Sequence, residues 1–285
     1  MRTPNALRRA APAPSRIIGQ VFTYVVLGVG TLLILFPLVW ALSASFKANR
    51  EVFTIPVQWI PRALHFENYT TPFRHNAFGR YFFNSLFVAG AVTFISLVVS
   101  SLAGFGLAKY RFWGRNIVFL AILSTMMLPV QVILVPLYLV VRDLGWLNTY
   151  QGLIIPQSVN AFSIFLMRQH IMAIPDEYLD AARVDGSSEL GILCRVVLPM
   201  SRPALAAVAI FSFLGSWDLY IWPVVVVTSA SLRTLPQGIA LFFSEYSSAY
   251  NQALAMSIVI MIPVLIVYAV LQRQFIAGLT QTGLK

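Results

Sequence analysis

The chain has 285 residues, of which 58% are hydrophobic and 11% charged, with a mean hydropathy of +0.77. A soluble domain carries about 25% charged residues, so this composition excludes one that covers its surface with charge. The net charge of +10 does not indicate nucleic-acid binding, because the Lys and Arg residues are dispersed among apolar runs instead of gathered on one face. The single Cys194 rules out an intramolecular disulfide. His65, His75 and His170 stand at no metal-ligand spacing, so no metal site is expected.

A hydrocarbon core about 30 Å thick requires roughly 20 residues of helix, so spans are sought where charge is absent for longer than that. Such gaps run over 17–46, 81–108, 116–141, 144–167 and 246–272, and a further one, 203–232, is interrupted only by Asp218. They predict an all-α membrane protein with six transmembrane helices near 17–42, 87–107, 117–141, 153–172, 204–227 and 254–272. Continuous apolar runs are unlike the alternation of a transmembrane β-barrel. The first run is too long for a signal-peptide core and no small-residue cleavage site follows it, so it is kept as a span. The predicted organisation is an N-terminal segment 1–16, a transmembrane domain 17–277 and a tail 278–285. With an even number of spans both termini share a side, and that side collects 13 Lys/Arg against 7 opposite, which places both termini in the cytoplasm.

Pro37, Pro129, Pro136, Pro156, Pro223 and Pro263 interrupt every span but the second. Each frees a carbonyl that must be satisfied by protein or by a watery cavity, so the prolines mark either ordinary kinks or a pathway. Ser100, Ser101, Ala103, Gly104 and Gly106 predict close helix approach on the second span, within the chain or with a second subunit.

The connection 173–203 between spans four and five holds Asp176, Glu177, Asp180, Asp185 and Glu189. Pro175 suits a helix start, Asp176 and Glu177 suit the positive end of its dipole, and Gly186 suits its termination, so 175–185 reads as a short helix. Ser187 and Ser188 cap a second helix carrying Leu190, Leu193, Val196 and Val197 and ending at Leu198-Pro199. This compact knob either fills a groove on a soluble partner or is a surface hairpin without one.

Asp218 is the only charge inside the six stretches, and a charge at mid-depth costs at least about 2.5 kcal/mol, so it marks a cavity, a polar partner or a pathway. Trp217, Tyr220 and Trp222 offer aromatic faces for stacking, and Gln157, Ser158 and Asn160 offer donors and acceptors. Aromatic residues near a span's end also serve as interfacial anchors. The three lysines, Lys47, Lys109 and Lys285, follow Phe46, Ala108 and Leu284, so there is no phosphate-binding Gly-Lys-Ser/Thr loop. Any energy source is another polypeptide or an ion gradient. No Ser/His/Asp, Cys/His or metal constellation supports a membrane enzyme.

The run Ile174-Pro175-Asp176-Glu177-Tyr178-Leu179-Asp180-Ala181-Ala182-Arg183-Val184-Asp185-Gly186-Ser187, followed by Val197-Leu198-Pro199 and Pro203, resembles the Glu-Ala-Ala loop of binding-protein-dependent ABC importer permeases. Glu67-Asn68-Tyr69, Asn84-Ser85-Leu86, Leu107 through Arg115, Met127-Leu128-Pro129, Leu144-Gly145, Trp217 through Pro223 and Gly278-Leu279-Thr280 resemble the carbohydrate branch, on the maltose-type second-permease side. The resemblance covers roughly 36–285. It departs at Asp180, where the family usually has Glu, at Ser187 for Ala, and at Trp217-Asp218-Leu219-Tyr220, where the family commonly shows Trp-Asn-Glu-Phe.

The resemblance implies the type I ABC importer permease architecture, with the loop as a coupling helix that docks on a cytoplasmic ATPase. Glu177, Asp180, Ala181, Ala182, Asp185 and Gly186 are then the coupling residues. Gln157, Asn160, Trp217, Asp218 and Tyr220 are the substrate-pathway candidates. The implied partners are a homologous second permease, two ATP-binding subunits holding ATP and Mg, an extracellular solute-binding protein, a sugar substrate and the lipid of a bacterial or archaeal plasma membrane. This chain itself is then a non-catalytic subunit without a cofactor. The absence of Lys and Arg from the charge-free stretches favours a neutral sugar. The alternatives are an importer of glycerol phosphate or another polar solute, and a proton-coupled secondary transporter using Asp218.

Overall fold

A computed structural model describes residues 14–75, 77–243 and 249–282. Among them the regular structure is helical, with no strand. Helices α1 (Pro14–Ser45), α2 (Glu67–His75), α3 (Phe78–Lys109), α4 (Arg115–Ser124), α5 (Val130–Asp143), α6 (Tyr150–Ser158) and α7 (Ala161–Met172) form the first part of the chain. Then come α8 (Asp176–Val184), α9 (Glu189–Ile192), a π-helical turn Leu193–Val197, α10 (Leu198–Met200), α11 (Arg202–Trp217), α12 (Ile221–Val226), α13 (Leu235–Leu241) and α14 (Tyr250–Thr282). Of the predicted terminal segments, 1–13 and 283–285 lie outside the described residues.

Three unbroken helices are long and apolar enough to cross a membrane: Gly19–Ser45, Phe78–Lys109 and Tyr250–Gln274. They correspond to the first, second and sixth predicted spans. The third is bent by 106° between Arg115–Met127 and Val130–Asp143. Pro129 lacks an amide proton and pushes Leu128 out of the helical region, to φ −86° and ψ 117°. The fourth is two helices, because Asn160 is extended and its side chain accepts a hydrogen bond from Phe162 N at 2.8 Å, capping α7 afresh. In the fifth, Arg202–Trp217 stops at Asp218 and the chain resumes as α12. A second bend, of 84°, separates Glu189–Met200 from Arg202–Trp217.

Helix α3 is the axis of the fold. It packs most extensively on α7 and α11, and residues along its length enter four buried clusters, around Trp217, Met167, Leu153 and Phe119. Of the small residues on α3, those from Ser96 to Gly104 named next serve contact within the chain, and Gly106 has no neighbour within 4 Å of an added Cβ. Ser96, Ser100, Ser101 and Gly104 are buried, and an added Cβ at Gly104 would lie 2.8 Å from Met167 Cβ. Hydroxyls cross the seam: Ser212 donates to Ser96 at 3.0 Å. Arg168, inside the predicted span 153–172, is buried, with its guanidinium 3.9 Å over the Phe119 ring and its Nε donating to the Leu107 carbonyl at 3.2 Å. That carbonyl lies in the last turn of α3, where intrahelical donors run out. Helix α1 packs chiefly on α14 and leaves its apolar surface open, as a helix solvated by lipid can.

Candidate functional site

Two features stand out, one at each end of the argument from sequence: the knob and a cavity between helices. The knob is α8 and α9 folded against the α3–α7 core. Pro175 is the N-cap of α8, and Asp176 and Glu177 occupy its first turn. Gly186 adopts φ +78°, and the amide of Ser187 returns to the Ala182 carbonyl at 2.9 Å, closing the helix as the glycine predicts. Ser188 caps α9 by accepting from Gly191 N at 3.2 Å.

One face of α8 is anchored. Leu179 is fully buried against the cluster of Met167, Ile171, Ile192 and Val197, and Ala182 is half-buried beside it. On the opposite face Glu177, Asp180, Ala181, Asp185 and Gly186 are exposed. Tyr178 and Val184 share that exposure, at 55% and 88%, and the sequence reading had not singled them out. Helical spacing was the available signal, since positions three and four apart from 181 lie on its face.

Charge pairs lock the knob. Lys109 donates to the Ile174 carbonyl at 2.5 Å and to Asp176 at 2.6 Å. Tyr110 donates to Glu189 at 2.5 Å. Arg183 bridges Asp180 at 2.7 Å and Glu189 at 2.9 Å. The Lys109 ammonium holds the Asp176 carboxyl below its ordinary pKa. Hydrogen bonds from Arg183 and then Tyr110 do the same for Glu189.

The cavity, about 290 Å³, opens where α5, the α6–α7 break, the end of α11 and α12 meet. Its polar lining comes from Gln131, Gln157, Asn160, Ser212 and Ser216, with Trp222 on one wall, and among the described residues no ionisable side chain lines it. Gln157 donates to Leu153 O at 2.6 Å and Asn160 Oδ1 is used by the α7 cap, while Ser216 Oγ is buried without a partner. Trp222 is held by donation from Nε1 to the Gly152 carbonyl at 3.0 Å. The rest of the lining is apolar, so the cavity is an apolar pocket with a few polar groups.

Of the sequence candidates, Gln157 and Asn160 meet at the cavity. Trp217, Asp218 and Tyr220 do not line it. Trp217 is 1% exposed, stacked on Phe213 at 5.5 Å and edge-on to Phe82 at 5.8 Å. Asp218 is exposed, and its amide donates to Leu214 O at 3.1 Å as the end of α11. Tyr220 is 45% exposed at the start of α12. Gln131, Ser212 and Ser216 are the cavity residues that the sequence reading missed. Their signal was polarity inside otherwise apolar stretches.

Comparison with known proteins agrees with this architecture. Residues 96–280 match the family described as binding-protein-dependent transport system inner membrane component. The chain is 36% identical over 258 residues to the arabinooligosaccharides transport system permease protein AraQ of Bacillus subtilis strain 168, covering 90% of this chain and 92% of that protein. It is 35% identical over 271 residues to the sn-glycerol-3-phosphate transport system permease protein UgpE of Yersinia enterocolitica, covering 92% and 96%. A chain from the crystal structure of a bacterial ABC transporter involved in the import of the acidic polysaccharide alginate superposes with a TM-score of 0.81, at 27% identity over 96% of this chain and all of that one. The chain belongs to the family of inner-membrane permease components of binding-protein-dependent ABC transport systems.

Proposed function

We propose that this permease is one half of the translocation pathway of an ATP-driven importer of neutral oligosaccharides, with the knob as its coupling element. The observation that carries the proposal is the knob: a short helix anchored by Leu179 that presents Glu177, Asp180, Ala181, Asp185 and Gly186 to the outside. Small residues allow close approach of a second protein, and the carboxylates suit basic residues in a cleft of an ATP-binding subunit. In this reading the knob faces the cytoplasm, as do both termini, and the helices from α1 to α14 make six crossings, two or three of them broken. Two ATP-binding subunits, holding ATP and Mg, and a homologous second permease complete the membrane complex, with a solute-binding protein outside. Closure of the ATP-binding subunits moves the two permeases as rigid bodies and switches which side the cavity faces.

The cavity lining supports a neutral cargo. AraQ and UgpE carry names of a neutral and an anionic substrate class respectively, and the cavity here has amides and hydroxyls but no cation in its lining. An anion would leave its charge uncompensated in this half of the pathway.

Substituting Asp180→Arg tests the coupling role. Asp180 is exposed, so the chain should reach the membrane at its normal level, and its guanidinium would stand beside Arg183 on the docking face. The expected outcome is loss of the co-purifying ATP-binding subunit and of uptake. Retention of both would refute the assignment.

A further inference from the structure

We propose that α3 carries the knob's movement across the membrane, with Lys109 and Tyr110 as positioning residues at the knob end and Asn84 and Ser85 at the far end. This rests on the coupling role proposed for the knob. The Lys109 side chain is only 6% exposed, and it bonds Ile174 and Asp176, the two residues flanking Pro175 where α8 begins. Its neighbour Tyr110 holds Glu189, the first residue of α9. Two consecutive residues at the end of α3 therefore grip the starts of both knob helices, and Arg183 ties those helices to each other. A load on the knob reaches α3 through charge-assisted bonds to a buried ammonium, which are short and directional.

Helix α3 is suited to pass that load on. It runs for 32 residues without a proline, whereas α1, α5, α6 and α14 each have one inside. Asn84 lies about 38 Å from Lys109 along the axis, at roughly 1.5 Å per residue. There its Nδ2 donates to the carbonyls of Ser231 at 3.0 Å and Arg233 at 2.8 Å, and its Oδ1 accepts from Tyr150 at 2.7 Å. Ser85 Oγ accepts from Leu235 N at 2.8 Å. Gly238 sits so close to Tyr81 that an added Cβ would lie 2.5 Å from the ring. The segment from Ser231 to Gly238, at the end of α3 away from the knob, is thus fastened to the same helix as the knob. One stiff element bonded to a separate segment at each end gives a reciprocal coupling: events at either end bias the other.

The test uses the chain in complex with its second permease and ATP-binding subunits, in proteoliposomes, reading ATP hydrolysis with and without the solute-loaded binding protein. Lys109→Gln and Asn84→Ala are each expected to keep basal hydrolysis and the bound ATP-binding subunit while losing at least tenfold of the stimulation. Lys109→Arg should keep most of it. The same phenotype from opposite ends of one helix is what a purely local structural role would not produce. If either substitution leaves stimulation intact while Asp180→Arg releases the ATP-binding subunit, the transmission role is overturned and the coupling role stands. If Asp180→Arg releases nothing and uptake persists, the coupling role fails and this proposal with it. Should Asn84→Ala not accumulate, Ser85→Ala and Tyr150→Phe, which each remove one far-end bond, replace it and are read in the same way.

Discussion

Substituting Gly104→Ala places a methyl group where α3 meets α7. The new Cβ would lie 2.8 Å from Met167 Cβ, 3.0 Å from Arg168 N and 3.1 Å from the Met167 carbonyl carbon, so backbone as well as side chain must yield. Overpacking of this kind costs about 1–3 kcal/mol. Alanine also favours the helix over glycine by roughly 0.5–1 kcal/mol, which offsets part of that cost. Gly106, two residues on in the same helix, has nothing within 4 Å of its virtual Cβ and supplies the control. Gly106→Ala should gain the helix term without the clash, so the two variants should differ by about 1–3 kcal/mol. For a chain of this size that is roughly 2–5 °C in midpoint temperature. The assay is thermal unfolding of the purified chain in one mild detergent, both variants side by side. Equal midpoints, or a more stable Gly104→Ala, would refute the claim that the small residues of α3 from Ser96 to Gly104 serve a close packing seam within the chain.

Three further outcomes follow from the geometry. Trp222→Phe leaves the Gly152 carbonyl without its buried donor and should cost about 1–3 kcal/mol, read in the same unfolding assay. Gln131→Ala removes one cavity hydrogen-bonding group and should raise the half-saturating solute concentration about two- to tenfold at unchanged complex assembly. The knob should also loosen in acid. Asp176 and Glu189 have folded pKa values below their ordinary ones, so their contribution is present above the usual carboxylate range near about 4 and is lost as pH falls through the lowered values. Hydrogen exchange over residues 174–200 should then be flat from pH 8 to about 5.5 and quicken, after correction for intrinsic rate, only below about 4; greater protection in acid would refute it.

The knob was legible because its punctuation is local. Gly186 and Ser188 act through the backbone of their immediate neighbours as their chemistry predicts, while Pro175, expected at the first helical position, stands one residue earlier as the N-cap. The gaps between charges located the three unbroken apolar helices, Gly19–Ser45, Phe78–Lys109 and Tyr250–Gln274, for the same reason, since they depend only on which residues lipid tolerates. The breaks were harder. Pro129 was visible, but the size of the 106° bend depends on what α4 and α5 pack against. Asn160 has a side chain equally fit to bind a ligand or to cap a helix, and the cap is a matter of backbone conformation. Trp217, four residues after Phe213, shares that residue's face and joins it in the core. Which face of α11 turned inward could not be read from a stretch that is apolar all round. The Lys109 and Tyr110 contacts join residues 67 and 79 positions apart, a separation at which sequence pattern is silent.

The central claim, that this permease works in an ATP-driven importer, is tested most directly in proteoliposomes holding the purified complex, with labelled oligosaccharide and binding protein outside. Uptake should require ATP inside, should survive collapse of the proton gradient, and should vanish with Asp180→Arg while tolerating Asp218→Asn. Uptake that proceeds without ATP, follows an imposed proton gradient and is abolished by Asp218→Asn would contradict it.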